Sequence, residues 1–486
     1  MRKGFLMVLA VVLVAAMAVP AVADFSTTGF VRIKEHVEQN FTGSIGTFGS
    51  GGLFILPKED PNTAAYVEQR QRFSLNWKGE NVGAAAVFEI DFTTWGDSAY
   101  NNVRNQGAGL EADSINLETK NFYVWFNVPN TTAKITAGVQ NLTDSFGGMI
   151  FGYADMAGVF VTGTGPVSYR VGAAKFQEGL TVRDDDVDFY VAEVKFTPVK
   201  EAKLGVDFYV LRDASGSNTA VGGPLPDFAG GQTNLNTLGR IFTDYGVGAT
   251  AFTYDPATFY WIGVDGAFKA GPVGLSGYAF YNFGEVEGAT GTFAGNAINN
   301  VSRDVSAYGV DLRAELDAGP GKLFIEAAYV SGSDQNSDDF ESPITASNYA
   351  LAGSFPLTSM DMQILLPNLD DINASAALAY DVQNKGRGIM AVAAGFRMKF
   401  SDALTAKFGA GYLADVEAPG PGVDEHSAFE INANVNFALA KGLDLGLYGA
   451  YAFLSDWESY SAAGVASATA DADDIWKGYV RLNYAF

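Results

Sequence analysis

Arg32 and Lys34 stand two residues apart, and so do Arg70 and Arg72. In an extended chain successive side chains point to opposite faces, so each pair falls on one face of its strand. Four cations gathered in this way attract and steer anions; alone they make or break no bonds. Covalent catalysis or zinc binding would need groups this chain scarcely has, since His36 and His426 are its only histidines and it has no cysteine. The chemistry expected is passage or binding, with no enzyme activity, no cofactor and no metal site. Asp144 and Asp155 are the acids of a second notable stretch, GVQNLTDSFGGMIFGYADMAGVF, which is rich in glycine and aromatics. Arg170 is a weaker candidate of the same kind. The run Asp184–Asp186 has the oxygens to hold calcium, but a solvated loop tip is the simpler reading.

The elements that position these residues are strands. Phe429, Ile431, Ala433, Val435, Phe437 and Leu439 alternate with Glu430, Asn432, Asn434 and Asn436. Val310, Leu312, Ala314 and Leu316 oppose Asp311, Arg313, Glu315 and Asp317. Period two over about ten residues recurs at 187–197, 203–211, 392–400 and 404–412, and predicts long strands with one apolar and one polar face. Short connections, such as Gly79–Asn81, Pro198–Ala202 and Ala440–Gly442, alternate with long ones near 41–62, 96–114, 142–156, 178–186, 214–257, 284–304, 333–387, 416–426 and 454–474. That rhythm predicts eighteen antiparallel strands, or sixteen if one hairpin is dropped; the short strand at 157–163 and the reach of the connections 214–257 and 333–387 are its weakest points.

A bilayer explains both the uniform strands and the one-sided loops: spanning strands need roughly 9–11 tilted residues, and barrels carry short turns at one end and long loops at the other. The expected fold is therefore an all-β transmembrane antiparallel barrel. Aromatics near strand ends, Trp77, Tyr412, Tyr451, Phe453, Tyr484 and Phe486, suit interfacial girdles. Lipid then fixes which way the cations point. Val31, Ile33 and Val37 face out, as do Phe73, Leu75 and Trp77, leaving Arg32, Lys34, Arg70 and Arg72 on one patch of inner wall. A basic residue at the lipid midplane would cost about 2–4 kcal/mol.

The start of the chain carries an export signal. Arg2 and Lys3 precede the apolar run Phe5–Val19, and Ala21-Val22-Ala23 precedes Asp24. This predicts a cleaved signal peptide over 1–23 and a single barrel domain over 24–486. Without Arg2 and Lys3 the chain holds 29 basic against 55 acidic residues, a formal −26. Such a balance argues against a nucleic-acid partner, whose phosphates call for basic stripes.

The final stretch, WKGYVRLNYAF, alternates to a terminal Phe486. With Tyr484 it resembles the sorting signature of bacterial outer-membrane barrels, which their barrel-assembly machinery reads. ADFSTTGFVRIKE, VEQRQRFSLNWKG and the 138–160 stretch resemble the trimeric porin family, particularly the homotrimeric porins of sulfate-reducing bacteria. The resemblance implies an outer-membrane channel for passive diffusion of small hydrophilic solutes and ions, assembled as a homotrimer in outer-membrane lipid. It also implies a third loop folded into the lumen, so that Asp144 and Asp155 face the basic cluster across the constriction. A substrate-specific channel, for example for sugars, is the alternative; it would need a track of inward aromatics, and Tyr209, Tyr448 and Tyr479 are scattered. Deleting Phe486, or replacing it with Asp, is expected to deplete folded, heat-modifiable protein from the membrane fraction and leave degradation products. Wild-type membrane levels would show that the terminal strand is not read as a signal.

Overall fold

Alternating apolar and polar residues can bury one face only by curling the sheet or covering it. Here the sheet curls until it closes. A computed structural model describes residues 24–39, 63–97, 107–110, 115–179, 184–216, 252–293, 296–334, 337–349, 359–366, 379, 382–418, 424–455, 458–460, 466–471 and 474–486. The signal sequence and most of the expected loops at 41–62, 96–114 and 214–257 lie outside the described residues.

The first nine strands are β1 (Asp24–Gln39), β2 (Thr63–Lys78), β3 (Val82–Thr94), β4 (Glu118–Asn127), β5 (Ala133–Leu142), β6 (Ala154–Gly163), β7 (Val167–Gln177), β8 (Val187–Val199) and β9 (Ala202–Asp213). Nine more follow, from Ala257–Ala270 to Ile475–Ala485, each antiparallel to its chain neighbour. The eighteen close because β1 pairs with β2 on one side and with Ile475–Ala485 on the other. The count of eighteen holds over sixteen, and the short strand expected at 157–163 belongs to a full strand, β6. Phe252–Thr253 is a two-residue annex on Val273–Phe293. Among the described residues no helix is long and apolar enough to cross a membrane.

One expected loop is corrected. Residues 284–304 do not leave the sheet: Val273–Phe293 and Asn296–Ala318 continue their pairing through most of that segment, with register shifts between Val286, Ala289 and Gly291. Cross-strand partners such as Glu285 with Asp304 carry the ladder on.

Side-chain parity separates the two faces. Val194, Phe196, Leu204, Val206, Ile262, Val264, Leu312 and Ile325 are exposed on the outside. Trp77, Tyr412, Phe453, Tyr484 and Phe486 are exposed near strand ends. This is the apolar band with aromatic rims that a barrel in lipid requires.

The interior is partly filled by two inward segments. In the 143–153 connection Phe146, Met149, Ile150 and Phe151 are buried against Phe189, Tyr209 and Phe280 of the wall. Burying each such side chain contributes about 1.5–3 kcal/mol. The second segment comes from the 333–387 connection, whose described residues run into the barrel. Trp261 donates to the Ile344 carbonyl, the Ile344 N–H donates to Asn282, and Lys477 donates to the Gln363 carbonyl. The N–H of Ala346 joins the two segments by bonding the Ile150 carbonyl at 2.8 Å.

Met360, Met362, Ile364, Leu365 and Leu366 are buried in this second segment. Met362 lies directly on the bare backbone of Gly411, where any Cβ would meet its sulfur. Gly411→Val should displace Met362 and loosen residues 359–362 at a cost of about 1–3 kcal/mol while leaving the strands paired. Faster thermolysin cleavage within that segment, with heat-modifiability retained, is the expected result; an unchanged cleavage rate would mean the contact does not hold it.

Candidate functional site

The charged inner wall is assembled by register. β1 and β2 set Arg32 opposite Arg70, Phe30 opposite Arg72 and Lys34 opposite Glu68. β2 and β3 then set Arg72 opposite Glu89. The four cations expected on one patch are therefore neighbours.

The same wall supplies their counterions. Glu89, fully buried, accepts from Arg70 Nε at 3.1 Å and from Arg72 Nε at 2.6 Å, and lies 3.5 Å from Lys120 Nζ. Asp91 lies 2.9 Å from Arg70 Nε. Lys34 Nζ is 3.7 Å from Glu68, which also meets His36 Nε2 at 3.0 Å. His36 stacks on Tyr66 with ring centres 4.8 Å apart. Arg32 donates to Asn483 at 3.2 Å and lies over the Phe30 ring at 4.9 Å. Buried charges persist only when paired in this way, because each one unpaired costs several kcal/mol.

Sequence reasoning missed Glu68, Glu89, Asp91 and Lys120. For two of them the signal was present: in VFEIDF the outward Phe88 and Ile90 leave Glu89 and Asp91 inside. Glu89, Asp91 and Glu118 offer oxygens within 4.8 Å of one another. Arg70, Arg72 and Lys120 already neutralise the first two, which leaves little attraction for a metal ion.

The two expected acids sit differently. Asp144 organises its own loop, accepting the N–H groups of Phe146, Gly148, Ile150 and Phe151 at 2.6–2.8 Å. Burial pushes its carboxyl up to about 6, although those four N–H groups pull the other way. Asp155 is the second residue of β6, on the parity of outward Ala157 and Val159. Its carboxylate takes Asn121 at 2.7 Å, Asn141 at 2.8 Å and Lys120 at 2.9 Å. Arg170 clamps the base of the loop, donating to the Thr143 carbonyl at 2.6 Å and to Glu193. Residues 143–145, Arg170, Glu193 and Lys195 line a cavity of about 300 Å³. At the outer end of β7–β9, Asp184 pairs with Arg212 and Asp186 with Lys175, so these acids already have cations.

The lumen is thus divided. Its β1–β4 wall is lined with balanced charge, while the side facing β8, β9 and Ala257–Ala270 is packed with the 143–153 loop. These groups can order water and ions between fixed charges.

No family model matches the chain, and no curated protein matches it. Solved structures do. The crystal structure of Pseudomonas aeruginosa OpdQ is similar at a TM-score of 0.50 and 8% identity, covering 95% of this chain and 98% of that one. Pseudomonas aeruginosa OccK5 (OpdH) and a BenF-like porin from Pseudomonas fluorescens Pf-5 each reach 0.49 at 9% identity, with 95% of this chain and 98% of theirs covered. At such identities the likeness is one of fold.

Asp144→Asn is expected to loosen the 143–153 loop by about 1.5–3 kcal/mol, because an amide offers one acceptor oxygen where the carboxylate offers two. Faster proteolysis of the loop in the folded barrel would register the loss. Equal rates for variant and wild type would show that the four N–H bonds do not hold it.

Proposed function

We propose that the chain is an outer-membrane porin, a water-filled channel through which small hydrophilic solutes and ions diffuse passively. The observation that carries this reading is the pairing of an outer face that is apolar with aromatic rims and an inner wall that is charged along β1–β4. A soluble barrel has the opposite arrangement. Cleavage of residues 1–23, sorting through Tyr484 and Phe486, and recognition by the barrel-assembly machinery belong to the same proposal.

The pore-lining set is Arg32, Lys34, Arg70 and Arg72, with Asp144 and Asp155 shaping the loop side. Arg72 is the least covered of the Arg70–Arg72–Glu89 group, with 31% of its side chain exposed. Asp144 contributes by holding the loop's fold, and Asp155 by fixing Lys120. Against a sugar-specific channel, Tyr209 is locked in the loop packing, and Tyr448 stacks on Tyr479 at 4.3 Å instead of extending a track.

A homotrimer is part of the proposal. The outward parity of β1 and β2 carries Glu35, Gln69 and Gln71 among Val31, Ile33 and Val67. Polar groups facing lipid are costly, and a second copy packed there would cover them. The small outward residues Ala84, Ala86, Ala133 and Ala137 suit close approach of another wall.

The test is electrical. Arg70→Gln with Arg72→Gln removes two positive charges beside Glu89 and Asp91, leaving Lys120 as the cation on Glu89, so the reversal potential in a salt gradient should shift towards cations. Low salt gives the longest screening length, about 30 Å at 0.01 M, and the largest shift. Absence of any channel from folded protein in planar bilayers would overturn the function, and an unchanged potential would remove these residues from the pore.

A further inference from the structure

The inward 359–366 segment has one carboxylate at its tip, and three cations converge on it. Asp361 Oδ2 accepts from Arg397 and lies 3.6 Å from Arg313 Nη2; its Oδ1 is 3.2 Å from Lys407 Nζ. Lys407 also donates to the Asp361 carbonyl at 3.1 Å. The cations come from three strands, Asn296–Ala318, Ile389–Lys399 and Leu404–Ala414, with Arg397 directly opposite Lys407. All three stand nearer the short-turn ends of their strands, so the tip reaches deep into the barrel.

Most of the cation cluster is held without Asp361. Arg313 meets Glu326 at 2.5 Å and Glu315 at 2.9 Å, and its guanidinium lies 4.5 Å over the Phe324 ring. Arg397 shares that ring at 5.3 Å and reaches Glu315 at 3.8 Å. The site is a preformed anion seat.

The tip itself is strained. Met360 and Asp361 have φ of 46° and 57°, so two successive non-glycine residues are left-handed. Each costs about 1–2 kcal/mol, and the ion pairs hold them there. Burial would raise the Asp361 carboxyl, but Lys407, Arg397 and Arg313 more than reverse this and hold it below the ordinary aspartate range.

The residues just beyond the tip are fixed separately. The N–H groups of Gln363, Ile364 and Leu365 all donate to the Glu430 carboxylate, at 2.7–2.9 Å. The tip can therefore let go while 363–365 stay anchored. Arg397 keeps 44% of its side chain exposed, against 13% for Asp361, so an arriving anion meets a guanidinium before the aspartate has left.

We propose that Arg313, Arg397 and Lys407 form a binding site for small carboxylate solutes, occupied at rest by the chain's own Asp361. A solute carboxylate enters as the Asp361 carboxylate swings out, one negative charge replacing another with no proton moved. A neutral solute of the same size has nothing to exchange. This rests on the channel reading above, and the experiment separates the two.

Proteoliposomes carrying wild type, Asp361→Asn or Arg397→Gln/Lys407→Gln are compared for initial uptake of succinate and of erythritol, after heat-modifiability has shown each variant folded. Erythritol tests the channel: no erythritol flux through folded wild type would overturn the channel reading and the site with it. With that flux present, wild-type succinate uptake should saturate while erythritol uptake stays linear. Asp361→Asn, lacking the internal competitor, should half-saturate at about tenfold lower succinate, the worth of one charge-assisted hydrogen bond. Arg397→Gln/Lys407→Gln should make succinate uptake linear. Linear succinate uptake in wild type, saturation unchanged by Asp361→Asn, or saturation persisting without Arg397 and Lys407 would each overturn the site while leaving the channel standing.

Discussion

A sheet surrounded by hydrocarbon has no water for the N–H and C=O groups along its edges, so it must have no edges. Everything else in this molecule follows from that demand. β1 is paired on both sides, and the seam extends to the last residue: the N–H of Gly29 bonds the Phe486 carbonyl at 3.1 Å, and the Phe486 N–H bonds the Gly29 carbonyl at 3.0 Å. Closure makes inside and outside distinct for every residue, and strand parity then places each side chain on one or the other.

Once closed, the wall leaves an interior that lipid does not constrain, and the chain uses it in two ways. Along β1–β4 it balances charge against charge at close range, with Glu89 shared by Arg70, Arg72 and Lys120. Around β8, β9, Ala257–Ala270 and Val273–Phe293 it packs aromatics against an inward loop. Both answers avoid an unpaired buried group, one by ion pairing and the other by excluding polarity. Asp144 and Glu430 bridge the two, since each is a buried carboxylate satisfied by the backbone of an inward segment.

The strand pattern was legible because parity is a local property. Phe429 to Leu439, or Val310 to Leu316, carries its two faces within eleven residues or fewer, and the short turns mark where each hairpin reverses. The clustering of Arg32 with Arg70 was legible too, since neighbouring strands inherit register from one another. Three features were not. Residues 284–304 read as a long connection, yet Glu285 and Asp304 pair and extend the ladder between their strands. Lys120 sits at an irregularity in the β3–β4 pairing, where parity reasoning loses count. The entry of 359–366 into the lumen depends on partners far away in sequence. Its one trace was the apolar content of SMDMQILL, which by itself names no destination.

That inward segment also orders events in time. The partners of the 333–387 connection reach from Asp213, bonded by Tyr349, to Lys477, which holds the Gln363 carbonyl. Contacts so distant along the chain form late, because loop closure must come before their reward. The final anchor belongs to the strand that seals the cylinder, so the contents of the barrel cannot be fully fastened until its wall is complete. Maturation of the interior is thereby tied to the last step of biogenesis, and a half-zipped barrel is left with its interior segment partly unmoored.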